Sequence, residues 1–340
     1  MGSVKDIQVI TEPTQEKPGE CVFVFSDRFS VFDWGVMPDL IDGKGKSICL
    51  LGAWFFEKLE EIGIKTHYIG MLEDGRIKKL KDLREPQHNM LVKFLRVIKP
   101  KTDGKKYDYS EFLKQKGNFV IPIEVIYRNS LPAGSSVFKR LKEGKISLSD
   151  LGLSEFPKEN TKLNRPFIDF STKFESQDRY LNQQEAKEIA GLTVEEFEKM
   201  KELVFLANKL ISECVEKLSI SNDDGKFEFG FDENREMIFV DVLGTPDECR
   251  FTYDGIQLSK EVLRFYYRKT DWYKQILEAK DKDFVRWREL VSLKPPLLPR
   301  DLKELVSEMY MSMCNSITQR DWFKVRDLSL IVKYIRSYID

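Results

Sequence analysis

The stretch Lys226-Phe227-Glu228-Phe229-Gly230-Phe231 alternates charge or glycine with phenylalanine. After Asp232-Glu233-Asn234-Arg235 comes a second run, Glu236 to Leu243, apolar except for Glu236 and Asp241. Strict alternation, a short polar turn and a second β-prone run read as a β-hairpin. Phe227, Phe229 and Phe231 share one face, and Lys226, Glu228 and Gly230 the other. A four-residue turn pairing Phe231 with Glu236 sets Lys226 opposite Asp241, with Glu228 diagonal to it on the same face. The partner strand is apolar on both faces, so Asp241 is expected to be partly buried and to need a partner. Two readings stay open from the pattern alone. One is a Lys226–Asp241 salt bridge; the other is Mg²⁺ held by Glu228 and Asp241, hard oxygen ligands suited to a metal that also meets ATP phosphates.

The rest of the chain narrows the chemistry. Its 340 residues allow two compact lobes or one large domain with an insertion. A 41% apolar and 33% charged composition excludes global disorder. Lys and Arg number 55 against 56 Asp and Glu, a net charge of -1, which leaves no electrostatic footprint for nucleic acid. The longest apolar run, Ile48 to Phe56, is far short of the roughly 20 residues that cross a bilayer, and the first residues carry no signal-like apolar stretch. These features predict a soluble, untargeted, cytoplasmic protein without membrane or nucleic-acid partners. Five scattered cysteines (Cys21, Cys49, Cys214, Cys249, Cys314) are expected as free thiols. With only His67 and His88, and no CxxC or HExxH, zinc chemistry and a Ser-His-Asp triad are disfavoured. Carboxylates, lysines, arginines and a hard metal remain, which points to phosphate chemistry.

Along the chain, Cys21 to Phe25 reads as a strand, and Leu51 to Ile62 as a helix stopped by Gly63. Lys99 to Gly117 is polar and reads as an insertion or linker. Asn118 to Arg128 then contains a strand too apolar to face solvent, with Glu124 inside it. Leu141 to Asp178 lacks periodicity and is expected to be loop-dominated over a cleft. Thr193 and Glu196 form a capping box before a stripe running from Phe197 to Leu218, read as core. Residues from Asp254 onward look helical, broken at Lys294-Pro295-Pro296 and Pro299.

Further candidates lie at strand ends and turns. Gly43-Lys44-Gly45-Lys46-Ser47 ends like a phosphate-binding loop, but Leu40 stands where that motif needs glycine. It is either a solvated turn or a minor anion contact. Arg128 runs into Ala133-Gly134-Ser135-Ser136, whose backbone N–H groups are open to an anion. Arg250 follows the Thr245–Cys249 turn and suits a phosphate, a carboxylate or a rim salt bridge. Glu124 needs a cation, a backbone donor or a ligand hydroxyl.

Taken in order, several stretches resemble a known family. They are Gly2-Ser3-Val4-Lys5-Asp6; Ser26 to Asp33 with Gly43-Lys44-Gly45; Ile121 to Arg128; Lys226 to Gly230; and Gly244-Thr245-Pro246-Asp247 with Arg250. Together they are similar to the phosphoribosylaminoimidazole-succinocarboxamide synthase, or SAICAR synthetase, family over roughly residues 2 to 275. The resemblance implies an α+β, two-lobed ATP-binding fold with antiparallel sheets, flanking helices and ATP between the lobes. The implied division is residues 1–98, a β-rich ATP-binding lobe; 99–118, a polar insertion or linker; 119–275, a central α+β lobe carrying the nucleotide-substrate and metal site; and 276–340, a C-terminal helical segment. The implied activity is ATP-dependent condensation of carboxyaminoimidazole ribonucleotide with L-aspartate in purine synthesis.

Carried over by motif, Lys5 contacts ATP phosphates, with Lys226, Glu228 and Glu124 also on the cofactor side. Glu228 and Asp241 bind Mg²⁺. Arg128, Ser135 and Arg250 hold the substrate's phosphate and carboxylate. Ser171 to Asp178 resembles the family's Ser-Thr-Lys stretch, which places Lys173 and Asp178 in the cleft, with Asp178 or Asp241 as proton acceptor. The chain departs from the family pattern at Ser3, Glu248 and Cys249 and in the length of the 99–117 stretch. Competing readings are a related carboxylate–amine ligase with another substrate and a non-catalytic nucleotide-binding paralogue; a homodimer is the default for a soluble enzyme.

Overall fold

The computed structural model describes residues 4–104, 106–283 and 286–339, so Gly2 and Ser3 of the opening motif lie outside the described residues. Strand β1 (Lys5–Thr11) pairs antiparallel with β2 (Gly19–Phe25). Helix α1 (Lys44–Glu61) follows, then β3 (Tyr68–Glu73), β4 (Arg76–Lys78) and β5 (Asn89–Phe94). These strands form a five-stranded sheet in the order β1-β2-β5-β3-β4.

The polar stretch after it holds a small hairpin, β6 (Lys101–Thr102) and β7 (Tyr107–Asp108). Strand β8 (Phe119–Leu131) leads through α2 (Ser136–Lys142) to β9 (Thr161–Thr172) and β10 (Tyr180–Leu181). Helices α3 (Gln183–Ala190) and α4 (Val194–Glu216) precede β11 (Ile220–Phe231), β12 (Met237–Val240), β13 (Cys249–Tyr253) and β14 (Ile256–Gln257). The second sheet has seven strands, β10-β9-β8-β11-β13-β14 with β12 also on β11. Among the described residues, five helices follow: α5 (Glu261–Arg268), α6 (Asp271–Lys282), α7 (Trp287–Leu290), α8 (Arg300–Thr318) and α9 (Leu328–Ile339). The architecture is the expected α+β, with antiparallel pairing throughout both sheets.

The sheets are stitched together. His67 N donates to Phe239 O and Phe239 N to Lys65 O, so the chain entering β3 runs beside β12. Arg96 makes a similar bridge to Phe119 at the start of β8. One apolar core runs continuously from Cys21 and Phe23, through α1 and the phenylalanines of β11, to Ile331 and Ile335 in α9. The capping box at Thr193 forms as expected, and Phe197, Met200, Val204, Ala207 and Ile211 of α4 are buried. All five cysteines are unbridged thiols.

Three expectations need correction. The segment 141–178 contains a twelve-residue strand, β9. Its first half is largely exposed and carries Pro166, because β10 covers only Phe170 and Ser171 and leaves the rest an edge, where a missing N–H is tolerated. Helix α1 starts seven residues before Leu51. Gly43 enters it with φ 76°, Asp27 Oδ1 accepts from Gly45 N at 2.8 Å, and a Cβ on Gly45 would lie 2.8 Å from the Ser26 carbonyl carbon. The Gly43–Ser47 stretch is therefore a helix start with Lys44 only 1% exposed, and the solvated-turn reading fails. Finally, the β11–β12 register is Phe231 with Met237, one residue off the expected pairing. Asp232 and Glu236 pair across the turn, and Arg235 takes the left-handed conformation (φ 60°), a three-residue loop in place of four.

Candidate functional site: two charged clusters on one sheet

Glu124 on β8 stands directly across from Glu228 on β11. Like charges opposed in a sheet repel, so a cation must lie between them. Lys226, two residues along the same face, supplies it: its Nζ is 2.9 Å from Glu124 Oε1, 2.9 Å from Glu228 Oε1 and 3.4 Å from Glu248 Oε2. Lys173, just past β9, pairs with the other Glu228 oxygen. Ser171 donates to Glu124 Oε2 at 3.4 Å. Because of the shifted register, Lys226 is not opposite Asp241. Strand β12 ends at Val240, Asp241 takes φ 63°, and its carboxylate pairs with Lys5 of β1.

This cluster sets its own ionisation. Burial opposes charge on Glu228, but Lys226 and Lys173 outweigh it and hold the carboxyl below its usual range. Asp241 is likewise held low, with Lys5, Lys226 and Lys173 overcoming burial. Glu124 goes the other way, raised chiefly by burial against the pull of Lys226. Burial works against the Lys226 ammonium, yet its glutamate neighbours keep its pKa well above the usual value.

Beneath Asp241 lies His67, buried and lowered to about 4 chiefly by desolvation. Its Nε2 donates to the Asp241 carbonyl at 3.0 Å, which fixes a neutral ring with that tautomer and supports the left-handed backbone.

At the other end of the same strands, Asp224 on β11 is paired across the sheet with both Arg128 on β8 and Arg250 on β13. One rung thus carries Arg-Asp-Arg. Arg128 Nη1 is 3.2 Å from Asp224 Oδ2, and its Nη2 is 3.2 Å from Asp169 Oδ2 on β9. Arg250 Nε donates to Asp224 Oδ1 at 2.7 Å, with a second bond to Oδ2 completing the fork. Arg140 of α2 shares Asp169 and lies 4.0 Å over the Tyr180 ring. Arg128 also donates to Ser136 Oγ and the Tyr180 hydroxyl, both at 3.3 Å. Ser135 spends its hydroxyl capping α2, accepting from Val137 N.

Both clusters open on one cavity of about 390 Å³, lined among others by Glu124, Lys226, Arg128, Arg250, Asp178 and Asp247. Lys5, Lys173, Glu228 and Asp241 continue the charged network behind its Lys226 end. Asp178 is exposed at the edge, where this cavity meets a broader concavity of about 1380 Å³ lined by parts of α2, β9, β10 and α4, Arg140 and Asp169 among them. Asp178 is raised above its usual range, chiefly by desolvation.

The arrangement offers cations for phosphate and carboxylate groups at both ends of a cleft. Asp241 is also close enough to Glu228 to oppose its ionisation. A buried and a partly buried carboxylate side by side form a hard-oxygen donor set that fits Mg²⁺. The fit is to an ion that keeps ligands from substrate phosphates, since among the described residues no group of three or more His, Cys, Asp or Glu side chains is placed as a metal cage.

Several site residues escaped the sequence reading. Asp224 carried a usable signal, because Asp224, Lys226 and Glu228 follow one another at period two. Asp169 had none, since β9 itself was unrecognised. His67 had none either, because its role exists only where β12 meets the chain before β3.

A family model described as SAICAR synthetase matches residues 2–290. The chain is 47% identical over 340 residues, all of both proteins, to an Archaeoglobus fulgidus protein that bears the name phosphoribosylaminoimidazole-succinocarboxamide synthase provisionally. It is 34% identical over 328 residues to the Thermoplasma acidophilum protein of that name, covering 94% of this chain and 98% of the relative. Among solved structures, a SAICAR synthetase in complex with ADP aligns with TM-score 0.57 at 24% identity, over 88% of this chain and 99% of that one. The Saccharomyces cerevisiae SAICAR synthase complexed with SAICAR aligns with TM-score 0.62 at 23% identity, over 95% of each; both structures share this fold. With the model spanning most of the sequence and a full-length relative at 47% identity, the chain belongs to the SAICAR synthetase family.

Proposed function

We propose that this enzyme, by its family an ATP-dependent ligase of purine biosynthesis, condenses carboxyaminoimidazole ribonucleotide with L-aspartate to give SAICAR, ADP and phosphate. The observation that carries the reading is the pair of charged clusters at the two ends of one cleft. In this reading the lysine end, with Lys5, Lys173 and Lys226, takes the ATP phosphates, and ATP lies between the two sheets. Glu228 and Asp241 would hold Mg²⁺, which supplies charge neutralisation on those phosphates. The arginine end, with Arg128, Arg250 and the neighbouring hydroxyls of Ser135 and Ser136, takes the phosphate and carboxylate of the ribonucleotide.

A carboxylate is a poor acyl donor until one oxygen becomes a leaving group. The imidazole carboxylate oxygen attacks the γ-phosphorus of ATP, and ADP leaves. The aspartate amine then attacks the acyl carbon of the carboxyl phosphate, inorganic phosphate leaves, and the amine loses its proton. Positioning and charge neutralisation suffice, without a protein nucleophile. Of the two candidate proton acceptors, Asp178 fits better than Asp241. Three lysines hold Asp241 below its usual range, whereas Asp178 is shifted upward, chiefly by desolvation, and stands at the cavity edge. A cytoplasmic setting and a homodimer complete the proposal.

The test is ADP release by the purified protein with MgATP, carboxyaminoimidazole ribonucleotide and L-aspartate, against mixtures that each omit one component. Dependence on all of them is expected; ADP release indifferent to aspartate overturns the reading. An Asp178→Asn enzyme with full turnover removes Asp178 from its role.

A further inference from the structure

Two carboxylates on the wall of the cleft cavity are held by opposite means. Asp247 is clamped through its own oxygens: the Tyr310 hydroxyl of α8 donates to Oδ1 at 2.8 Å, and Lys44 Nζ meets Oδ2 at 2.6 Å. Asp178, among the described residues, makes no hydrogen bond or ion pair. Its place is set by the backbone that carries it, the turn from Thr172 to Arg179 between β9 and β10.

That turn is closed at its base, where Thr172 N donates to Arg179 O at 3.0 Å and Arg179 N to Thr172 Oγ1 at 3.1 Å. Its crown is pinned from outside, by the polar stretch 99–118. The Tyr107 hydroxyl of β7 accepts from Ser176 N at 2.8 Å, and the Tyr109 hydroxyl donates to Glu175 Oε1 at 2.9 Å. Arg179 holds the same carboxylate, with Nη2 3.2 Å from Oε1, and reaches on to Glu185 in the first turn of α3. Burial and the Glu175 carboxylate raise the Tyr109 pKa, so its hydroxyl stays a donor.

The stretch is rooted well enough to act as a support. Phe112 is 1% exposed, its ring 6.2 Å from Phe119 of β8 and 5.9 Å from Tyr109. Gly191, at φ 63°, admits the Phe112 carbonyl so closely that a Cβ there would lie 3.0 Å from its oxygen. Arg96 Nη2 donates to the Gln115 side chain and Arg235 Nη1 to its carbonyl, both at 2.8 Å.

The two tyrosine contacts fix the chain just before Asp178, and a misplacement of about 1 Å in a reacting group costs up to about a hundredfold in rate. We propose that Tyr107 and Tyr109 are positioning residues for Asp178, holding its carboxylate where it takes the proton that leaves the substrate amine. The proposal rests on the ligase reading above, with Asp178 as its proton acceptor. It also gives the 99–118 stretch a part in the reaction.

The test combines steady-state kinetics with hydrogen exchange, read by mass spectrometry on peptides covering residues 172–179 of the full-length protein. Tyr107→Phe and Tyr109→Phe keep both rings. Each should lower kcat about threefold and the double variant about tenfold, while Tm and the KM values for ATP and the ribonucleotide stay put. Exchange in the 172–179 peptides should speed up about tenfold in the double variant, with peptides from α4 keeping wild-type protection. In an Asp178→Asn background the same pair of changes should lower kcat no further, because groups acting through one another are not additive. A tenfold loss repeated in that background, unchanged exchange in the turn, or all three KM values moving together with Tm would overturn the assignment. Faster exchange in variants of a protein that turns over no substrate mixture would instead overturn the ligase reading and leave the tyrosine support standing.

Discussion

The two clusters share strands β8 and β11 but neutralise their carboxylates differently. At one end Glu124, Glu228 and Asp241 are met by lysines, compact point charges on flexible stems. At the other, Asp169 and Asp224 are met by Arg128 and Arg250, planar forks whose directions are set by the sheet register, and by Arg140 reaching in from α2. The inner part of the arginine end is almost dry, with Arg128 and Asp169 only 2% exposed, whereas Arg250 at its rim and the lysines each retain about a fifth to a quarter of their accessibility. A lattice of forks holds one geometry and suits a ligand that must be placed once. Lysines that can swing between carboxylate and phosphate suit a group that moves during the reaction. The difference teaches that equal charge on one sheet divides into a rigid and an adaptable half through the choice of cation.

The hardest test of that division removes the shared aspartate at the rigid end. Asp224→Asn leaves Arg128 buried with half of its counter-charge and Arg250 without its fork, and should destabilise the fold by about 3–5 kcal/mol; urea unfolding monitored by tryptophan fluorescence measures it. Retention of wild-type stability would show the arginine end to be as forgiving as the lysine end.

A smaller effect probes the support under the lysine end. The folded pKa of His67, about 4 against an ordinary 6.5, is depressed, so its contribution to stability is complete above 6.5 and is lost as the pH falls through that window towards 4. The loss amounts to about 3 kcal/mol at most. His67→Gln keeps a donor for the Asp241 carbonyl and should flatten this part of the stability profile, read from unfolding midpoints at pH 7.5 and pH 4.5. An unchanged acid slope would assign it to the carboxylates instead.

The smallest expected effect comes from exchanging cation types. Arg250→Lys retains charge but loses the bidentate fork to Asp224, and should weaken the ribonucleotide about fivefold, close to 1 kcal/mol. The KM for ATP should not change. Equal shifts in both would mean that the two ends do not divide the substrates between them.

How far the sequence revealed this site depended on which strands carried their own pattern. The alternation of Phe227, Phe229 and Phe231 placed Lys226 and Glu228 on a common face without any tertiary information, and the Thr193–Glu196 box announced α4. The partner of Lys226 was misread because register depends on whether Arg235 enters the left-handed region, a one-residue choice that moves every opposing side chain. Strand β9 was hidden because an edge strand need not look apolar, and with it went Asp169. Lys5, Lys173 and Asp178 entered through resemblance to family motifs; nothing local in their sequence says that β1, the end of β9 and β12 converge. Tyr310 sits in a helix whose apolar stripe reads as packing, and its hydroxyl gains meaning only from Asp247.

The contacts of α8 with the start of α1 also govern when a newly made chain becomes complete. Ser307 Oγ donates to the Asp42 carbonyl, a Cβ on Gly43 would lie 2.7 Å from Met311 Sδ, and Tyr310 closes on Asp247. Lys44 and Asp247 are therefore made well before the helix that buries them. At about 5–20 residues per second on the ribosome, the wait between Asp247 and Tyr310 lasts seconds, and throughout it this wall of the cleft stands open to water. A nascent chain halted after β14 but before Tyr310 would carry the residues of both sheets and both charged clusters, but a loose Asp247.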